Sequence, residues 1–158
     1  MEPLQDRCTP SSIESIQALF LSDLGQPISS YFASFDLEPI GVASLAQVHR
    51  AKLLDGQEVA VKIQHPALRE FSEIDIKTVA ALTRFVAYVF PEFEFSWLSE
   101  EMQISLPKEL NFTCEARNSV RVNANFDNAR AEGSKSTIKV PDVVWSKNRV
   151  LVMECKFF

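Results

Sequence analysis

Cysteine is scarce in this chain, and its spacing excludes two common uses of the residue. The 158 residues contain three cysteines, Cys8, Cys114 and Cys155, with no Cys-x-x-Cys pair among them. An odd number of widely spaced thiols does not make the framework of a disulfide-stapled protein. The sequence therefore predicts reduced thiols and no disulfide.

Positive charge and histidine are also in short supply. Lys and Arg number 16 against 21 Asp and Glu, a net charge of −5, so the chain lacks the basic footprint expected of a nucleic-acid-binding domain. The two histidines, His49 and His65, stand alone in the sequence. We therefore predict structural roles for them and no metal site.

Long uncharged hydrophobic runs are absent as well. The most apolar stretch, Ile74 to Phe90, is interrupted by three charged residues and is shorter than the ~20 residues needed to cross a bilayer. It predicts a buried or docking helix and no transmembrane span. The opening MEPLQDRC lacks the Arg-rich character of a mitochondrial transit peptide, so no targeting segment is expected. With 46% hydrophobic and 23% charged residues, one compact domain is expected.

Two segments, residues 46–51 and 59–63, alternate with the period of half-buried strands. In the second segment three β-branched residues share one face, so Lys62 points to the other. The intervening Asp55-Gly56 favours a two-residue type I′ turn, which needs positive φ at both positions. This hairpin places Lys62 across from the loop Gly41–Ser44.

That loop, formed by Gly41, Val42, Ala43 and Ser44, is small enough for backbone amides to approach a polyphosphate. A lysine on a facing strand suits pairing with α- and β-phosphate oxygens. We therefore predict a nucleotide-phosphate clamp made of the loop and Lys62. The alternative is an ordinary surface lysine on a hairpin, which the motif alone leaves open.

Helical periodicity and strand patterns mark the rest of the chain. A helix is predicted over Ser11–Leu24, and Pro27 begins a second helix-like piece that includes Phe32 and Phe35. Longer helices are predicted over residues 66–91 and 105–123. Further strands are predicted over residues 137–140, 143–145 and 149–155.

These features occur in the order of a known family. IGVASLAQVH at 40–49 resembles the alanine-rich loop of the aarF-domain/UbiB family of atypical kinases, and VAVK at 59–62 resembles the third-strand lysine motif of protein kinases. Similar matches are LQDRCTP at 4–10, EFSEID at 70–75, PEFEFSWLSEEM at 91–102, LPKELNFTCEARN at 106–118, VPDVVW at 140–145 and VLVME at 150–154. The resemblance covers nearly the whole chain and is strongest to the ADCK-type mitochondrial branch, near the human first paralogue.

The resemblance implies an α+β fold, the N-lobe of a protein kinase. It consists of an antiparallel sheet of about five strands with family-specific helices packed on it. Residues 1–36 would form a helical N-terminal extension and residues 37–158 the kinase-like N-lobe. The C-terminal lobe, with its catalytic and magnesium-binding Asp residues, is expected to be absent. The chain is then expected to be a fragment or truncated product that is inactive alone.

Several site residues are implied by the same resemblance. Glu115 is similar to the helix glutamate that holds the strand lysine against the phosphates. Met153 matches the gatekeeper position. Glu154 and Cys155 match the hinge, whose backbone groups meet adenine.

Glu109 and Asn111 match the family's ExD motif, which engages an N-terminal KxGQ segment. Asn111 replaces the second carboxylate and so removes a charge while keeping an acceptor oxygen. The KxGQ segment would lie upstream of this chain. The alternative for both Glu109 and Glu115 is that they are solvated helix acids.

By resemblance, then, the chain is a partial atypical kinase domain that binds ATP, with Mg²⁺ expected only in the full-length parent. The parent family is linked to mitochondrial coenzyme Q and lipid homeostasis. Mitochondrial localisation and membrane lipid or quinone as partners of the parent follow from the resemblance alone. The alternative function is a truncated non-catalytic interaction module or pseudokinase fragment that docks to a partner.

Overall fold

The computed structural model describes residues 8–66, 68–92, 96–131, 133 and 137–155. Parts of the motifs at 4–10 and 91–102 lie outside these ranges. Two compact units are formed: a sheet unit, made of the residues up to Pro66 and from Asn111 onward, and a helical unit, residues 67–110.

The sheet unit contains three kinds of regular element. Its members are α1 (Ile13–Leu24), a 3₁₀ turn (Ile28–Ser30), β1 (Phe32–Phe35), β2 (Gly41–Val42), β3 (Ala46–Leu53) and β4 (Glu58–Gln64). The helical unit contributes α2 (Leu68–Val89) and α3 (Ser96–Glu109). The sheet unit resumes with α4 (Phe112–Ala131), β5 (Val143–Ser146) and β6 (Val150–Glu154).

The strands form one antiparallel sheet in the order β1-β3-β4-β6-β5, and β2 also pairs with β3. This confirms the α+β prediction, with six strands where about five were expected. β4 is central, and its side chains alternate between the two faces of the sheet, each of which carries one apolar cluster. Strand alternation therefore decides which residues face each helix.

The first cluster lies between one face of the sheet and α1. The three β-branched residues of β4 (Val59, Val61 and Ile63) are fully buried there with Ile16, Leu19 and Phe20 of α1. Helix α1 begins at Ser12, whose side chain accepts a hydrogen bond from the amide of Ser15, and ends at Gly25, which has a φ of 72°. The predicted helix is confirmed, with its first residue at Ile13 in place of Ser11.

The second cluster lies on the opposite face, under the first turns of α4. It consists of Ala46, Phe112, Ala116 and Leu151, with Met153 partly buried against it. This is the face to which Lys62 was predicted to point.

Two local predictions in the sheet unit are wrong. The loop between β3 and β4 is a three-residue turn: the amide of Gly56 donates to the carbonyl of Leu53, and the amide of Leu53 donates to that of Gln57. Only Gly56 has positive φ, 92°, so Asp55 does not adopt the conformation that a type I′ turn requires. Phe32 and Phe35 lie in β1 and not in a helix, because pairing with β3 outweighs a weak helical pattern.

Two predictions later in the chain also need correction. The single helix over 105–123 is two helices, α3 and α4, with Leu110 and Asn111 between them. Residues 137–140 form no strand. The helix over 66–91 is confirmed as α2, and no helix within the described ranges is long and apolar enough to cross a membrane.

Candidate functional site

The site is built on one row of residues across the sheet. Gly41 on β2 pairs with Val48 on β3, which pairs with Lys62 on β4, which pairs with Leu151 on β6. Neighbouring strands lie about 4.8 Å apart, so the start of the loop is about 10 Å from the lysine backbone. Residues directly opposite in such a row share a face, which places Val48 and Leu151 beside the Lys62 side chain.

The Lys62 side chain is held by Glu115, near the start of α4. Its Nζ donates to both carboxylate oxygens, at 2.7 Å to Oε1 and 2.9 Å to Oε2. This confirms the predicted ion pair. The role of the pair in holding a nucleotide stays a prediction.

Phe112 is a site residue that the sequence reasoning missed. Lys62 Nζ lies 4.9 Å from the centroid of the Phe112 ring, within the range of a cation–π contact. The ring is 2% exposed, and the Phe112 amide donates to the carbonyl of Asn148 at 2.9 Å. Lys62 Nζ therefore contacts both the Glu115 carboxylate and the buried Phe112 ring. The sequence feature that could have identified Phe112 is its place three positions before Glu115.

Asn111 acts as the cap of α4. Its Oδ1 accepts from the amide of Thr113 at 3.0 Å and from the Thr113 hydroxyl at 2.6 Å. Asn is among the best N-cap residues because its short side chain reaches these unpaired amides. Glu109, the first residue of the ExD-like pair, is the last residue of α3 and belongs to the helical unit. The two residues are thus divided between units, and Asn111 fixes the helix that carries Glu115.

Replacing Glu115 with glutamine should change the free energy of unfolding by no more than about 1 kcal/mol. The side chains of Lys62 and Glu115 are 28% and 41% exposed, so water already screens most of their attraction. Urea unfolding of the two proteins measures the difference. A loss of several kcal/mol would contradict a half-exposed pair whose role is to position the lysine.

The predicted phosphate loop is a tight hairpin. Gly41 and Val42 form β2, and Ala43–Leu45, the hairpin tip, leads into β3. The amide of Ala43 donates to the carbonyl of Ala46 at 2.8 Å. Within the described part of the chain, the backbone amides of Ser44 and Leu45 make no hydrogen bond. Apart from Gly41 and its two chain neighbours, no atom of the residues that the structure describes lies within 4 Å of the position that a Cβ on Gly41 would occupy.

The predicted gatekeeper, Met153, and the predicted hinge residues, Glu154 and Cys155, lie at the end of β6 and just beyond it. Met153 pairs with Ala60 of β4 and packs against the second cluster, which contains Phe112, so it lies on the Lys62 face. The amide of Glu154 donates to the carbonyl of Asp142 at 2.9 Å, and that of Cys155 to the carbonyl of Glu58 at 3.5 Å. Both amides donate hydrogen bonds within the protein, so an adenine base would have to form its hydrogen bonds with other backbone groups here.

These residues fit a nucleotide in their chemistry. Two unbonded amides and a lysine cation suit phosphate oxygens. The neighbouring Val48, Ala60 and Met153 offer the apolar surface that ligand pockets present. Among these apolar residues, Val48 and Ala60 were missed by the sequence reasoning, although their alternation with Lys62 could have identified them.

A buried network ties the segment before α1 to β3. The amide of Ser11 donates to Oε1 of Gln47 at 2.7 Å, and Gln47 Nε2 donates to Nε2 of His49 at 2.8 Å. His49 Nδ1 donates to the carbonyl of Asp36 at 2.8 Å. The Asp36 carbonyl only accepts, so Nδ1 carries a proton, and the Gln47 NH₂ group only donates, so Nε2 carries none. The pattern therefore requires neutral His49 with its proton on Nδ1. The structural role predicted for His49 is confirmed.

Folding stability should fall below neutral pH because of His49. Burial lowers the pKa of His49 from the ordinary 6.5, against the raising effect of its bond to the Asp36 carbonyl. The contribution is complete above about pH 6.5 and is lost as pH falls toward the folded-state pKa, because the unfolded chain then binds the proton more readily. Urea unfolding at pH 7 and pH 5 should show a steeper loss for the wild type than for His49→Gln. Equal losses would contradict the assignment.

An antiparallel sheet with a central-strand lysine bonded to a helix glutamate, beside a tight hairpin, defines the N-lobe of a kinase-like protein. Residues 3–156 match the ABC1 atypical kinase-like domain, and the chain belongs to this family. The recognition from the sequence motifs is confirmed.

Three similar proteins illustrate the match. The chain is 42% identical to ABC1 family protein MCP2 of Saccharomyces cerevisiae, over 98% of this chain and 27% of the yeast protein. It is 43% identical to AarF domain-containing protein kinase 1 of Xenopus tropicalis, over 95% of this chain and 28% of the frog protein. Among solved structures, the complex of Rv3197 with erythromycin from Mycobacterium tuberculosis superposes with a TM-score of 0.74 at 29% identity, over 92% of this chain and 36% of that chain. The chain therefore spans under a third of the length of these two curated relatives.

Proposed function

We propose that the sheet unit binds the phosphates of ATP, as the nucleotide-binding lobe of an atypical kinase. The observation that carries this proposal is the Lys62–Glu115 ion pair, set in the same row of the sheet as the start of the hairpin loop. A lysine held in this way presents its charge at a fixed point, as phosphate positioning in kinases requires.

Each part of the site has a role in this proposal. The unbonded amides of the hairpin tip and the Lys62 cation receive the phosphates. Val48, Ala60 and Met153 face the base and ribose. Glu115 and Phe112 hold the lysine in place, since both contact its Nζ.

The test is an NMR titration of the 158-residue chain with ATP, with and without magnesium. Weak binding, near millimolar, is expected, which corresponds to about −4 kcal/mol, because one lobe supplies only one wall of a cleft. Lys62→Ala should abolish the shifts, whereas the matched control Lys52→Ala removes an exposed charge from β3 and should leave them. Low-micromolar, magnesium-dependent binding would contradict the one-lobe interpretation, and no binding at all would refute the function.

For the whole protein, we extend the proposal to mitochondrial localisation and to coenzyme Q or lipid homeostasis, with a membrane lipid or quinone as partner. The support is membership of the same family as AarF domain-containing protein kinase 1 and MCP2. Fractionation of cells that express the tagged full-length protein tests the localisation. A cytosolic signal would contradict it.

A second candidate function, a non-catalytic docking module, is favoured by the helical unit. Large apolar side chains are exposed on it: Phe85 at 62%, Tyr88 at 86% and Trp97 at 59%. Exposed apolar surface of this kind commonly marks an interface. Replacing Phe85 and Tyr88 with glutamate should then abolish partner binding by the full-length protein and leave ATP binding unchanged. Partner binding that survives the double substitution would exclude this face as the interface.

A further inference from the structure

His65, just beyond the end of β4, donates two hydrogen bonds to the hairpin tip. Its Nε2 donates to the carbonyl of Ala43 at 2.9 Å, and its backbone amide donates to the carbonyl of Leu45 at 3.1 Å. The proposed site described above does not use either contact.

The hydrogen bond from His65 to the Ala43 carbonyl determines the direction of the Ser44 N–H. The Ala43 carbonyl and the Ser44 N–H belong to one planar peptide unit, and in the trans form they point in opposite directions. Fixing the carbonyl toward His65 therefore aims the Ser44 N–H away from the imidazole. Ser44 is exposed, and its amide is unbonded in the described part of the chain. A bond to the carbonyl also polarises the same peptide unit, which strengthens its N–H as a donor.

The orientation of the imidazole is in turn set by Ser11. The Ser11 Oγ lies 2.8 Å from Nδ1 of His65. A hydroxyl can donate to an unprotonated Nδ1 or accept from a protonated one, so Ser11 holds the ring in the orientation that directs Nε2 to the Ala43 carbonyl in either case. Ser11 is itself fixed by the hydrogen bond that its backbone amide donates to Oε1 of Gln47. The segment that precedes α1 is thereby connected to the hairpin tip.

We propose that His65 is a positioning residue that orients the Ser44 amide to receive a phosphate oxygen, and that Ser11 fixes His65 for this role. This inference rests on the proposed nucleotide function. It assigns the hairpin tip to phosphate recognition and leaves the base and ribose to other residues.

The test compares ATP with adenosine, which lacks phosphates, on the 158-residue chain by NMR titration. His65→Ala should weaken ATP binding by about tenfold, the loss expected when one well-placed hydrogen bond is lost, and should leave adenosine binding unchanged. His65→Gln, whose amide can reach the Ala43 carbonyl, should restore most of the ATP affinity. Ser11→Ala should weaken ATP binding less than His65→Ala does.

A second readout needs no nucleotide. The ¹⁵N order parameter of the Ser44 amide should fall in His65→Ala and recover in His65→Gln. An equal loss of ATP and adenosine binding in His65→Ala would overturn the inference, since it would mean a general structural defect. Unchanged ATP affinity with an unchanged Ser44 order parameter would also overturn it. A wild type that binds neither ligand, while the order parameter responds as expected, would refute the nucleotide function and show His65 as a loop-ordering residue only.

Discussion

Phe112→Ala should lower the free energy of unfolding by about 3–5 kcal/mol, the range for removing a buried aromatic ring. The ring is 2% exposed and fills the space between Ala46, Ala116 and Leu151. The substitution also removes the aromatic surface beside Lys62 Nζ, 4.9 Å from the ring centroid. Phe112→Ala should therefore both lower the stability of the fold and leave the Lys62 side chain less well positioned. Urea unfolding measures the first, and the ¹⁵N and side-chain NMR signals of Lys62 report the second.

Two matched variants control for this prediction. Phe112→Leu keeps most of the buried volume and should cost about 1.5 kcal/mol or less. Phe85→Ala removes the same atoms from an exposed position on α2 and should change stability by about 0.5 kcal/mol or less. If Phe112→Ala cost no more than Phe85→Ala, the second cluster would not support the site in the way described.

The 158-residue chain should hydrolyse or transfer no measurable ATP phosphate. Phosphoryl transfer in kinases depends on a catalytic-loop Asp, an Asn and a metal-binding Asp, and no Asp-x-x-x-x-Asn sequence occurs in these residues. Loss of such transition-state stabilisation lowers rates by several powers of ten. The expected rate is that of buffer alone, measured by phosphate release over hours at high protein concentration. Turnover that Lys62→Ala abolishes would contradict the prediction, whereas turnover unaffected by that substitution would indicate a contaminant.

The residues around Lys62 could be predicted because they follow local rules. A two-residue period put Lys62 opposite the β-branched residues of β4, and pairing with β3 and β6 left that alternation intact. The partnership with Glu115 came from family resemblance, since 53 positions separate the two residues. No periodicity within either segment reveals such a contact.

The incorrect predictions from the sequence have one cause, competition between local and distant interactions. Asn111 lies within a pattern that favours a continuous helix, yet its side chain satisfies the amide of Thr113 and starts a new helix. Asp55-Gly56 suits a type I′ turn, but a three-residue loop needs positive φ only at Gly56 and is less demanding for Asp55. The network through Ser11, Gln47 and His49 depends on contacts 36 residues apart, which the sequence alone does not disclose.

The alternation along β4 has a consequence for genetic variation. Substitutions at Val59, Val61 and Ile63, which are fully buried against α1, should reduce the amount of folded protein in cells. Larger residues at Ala60, which is 7% exposed, should do the same, because overpacking a buried site is destabilising. Substitutions at Lys62, whose side chain is 28% exposed, should spare abundance and impair ligand binding. A saturation library of these five codons, measured once for abundance and once for nucleotide binding, should then separate Lys62 from its four buried neighbours. Natural variants in this strand could be assigned to loss of protein or loss of ligand binding by whether they fall at one of the four buried positions or at Lys62.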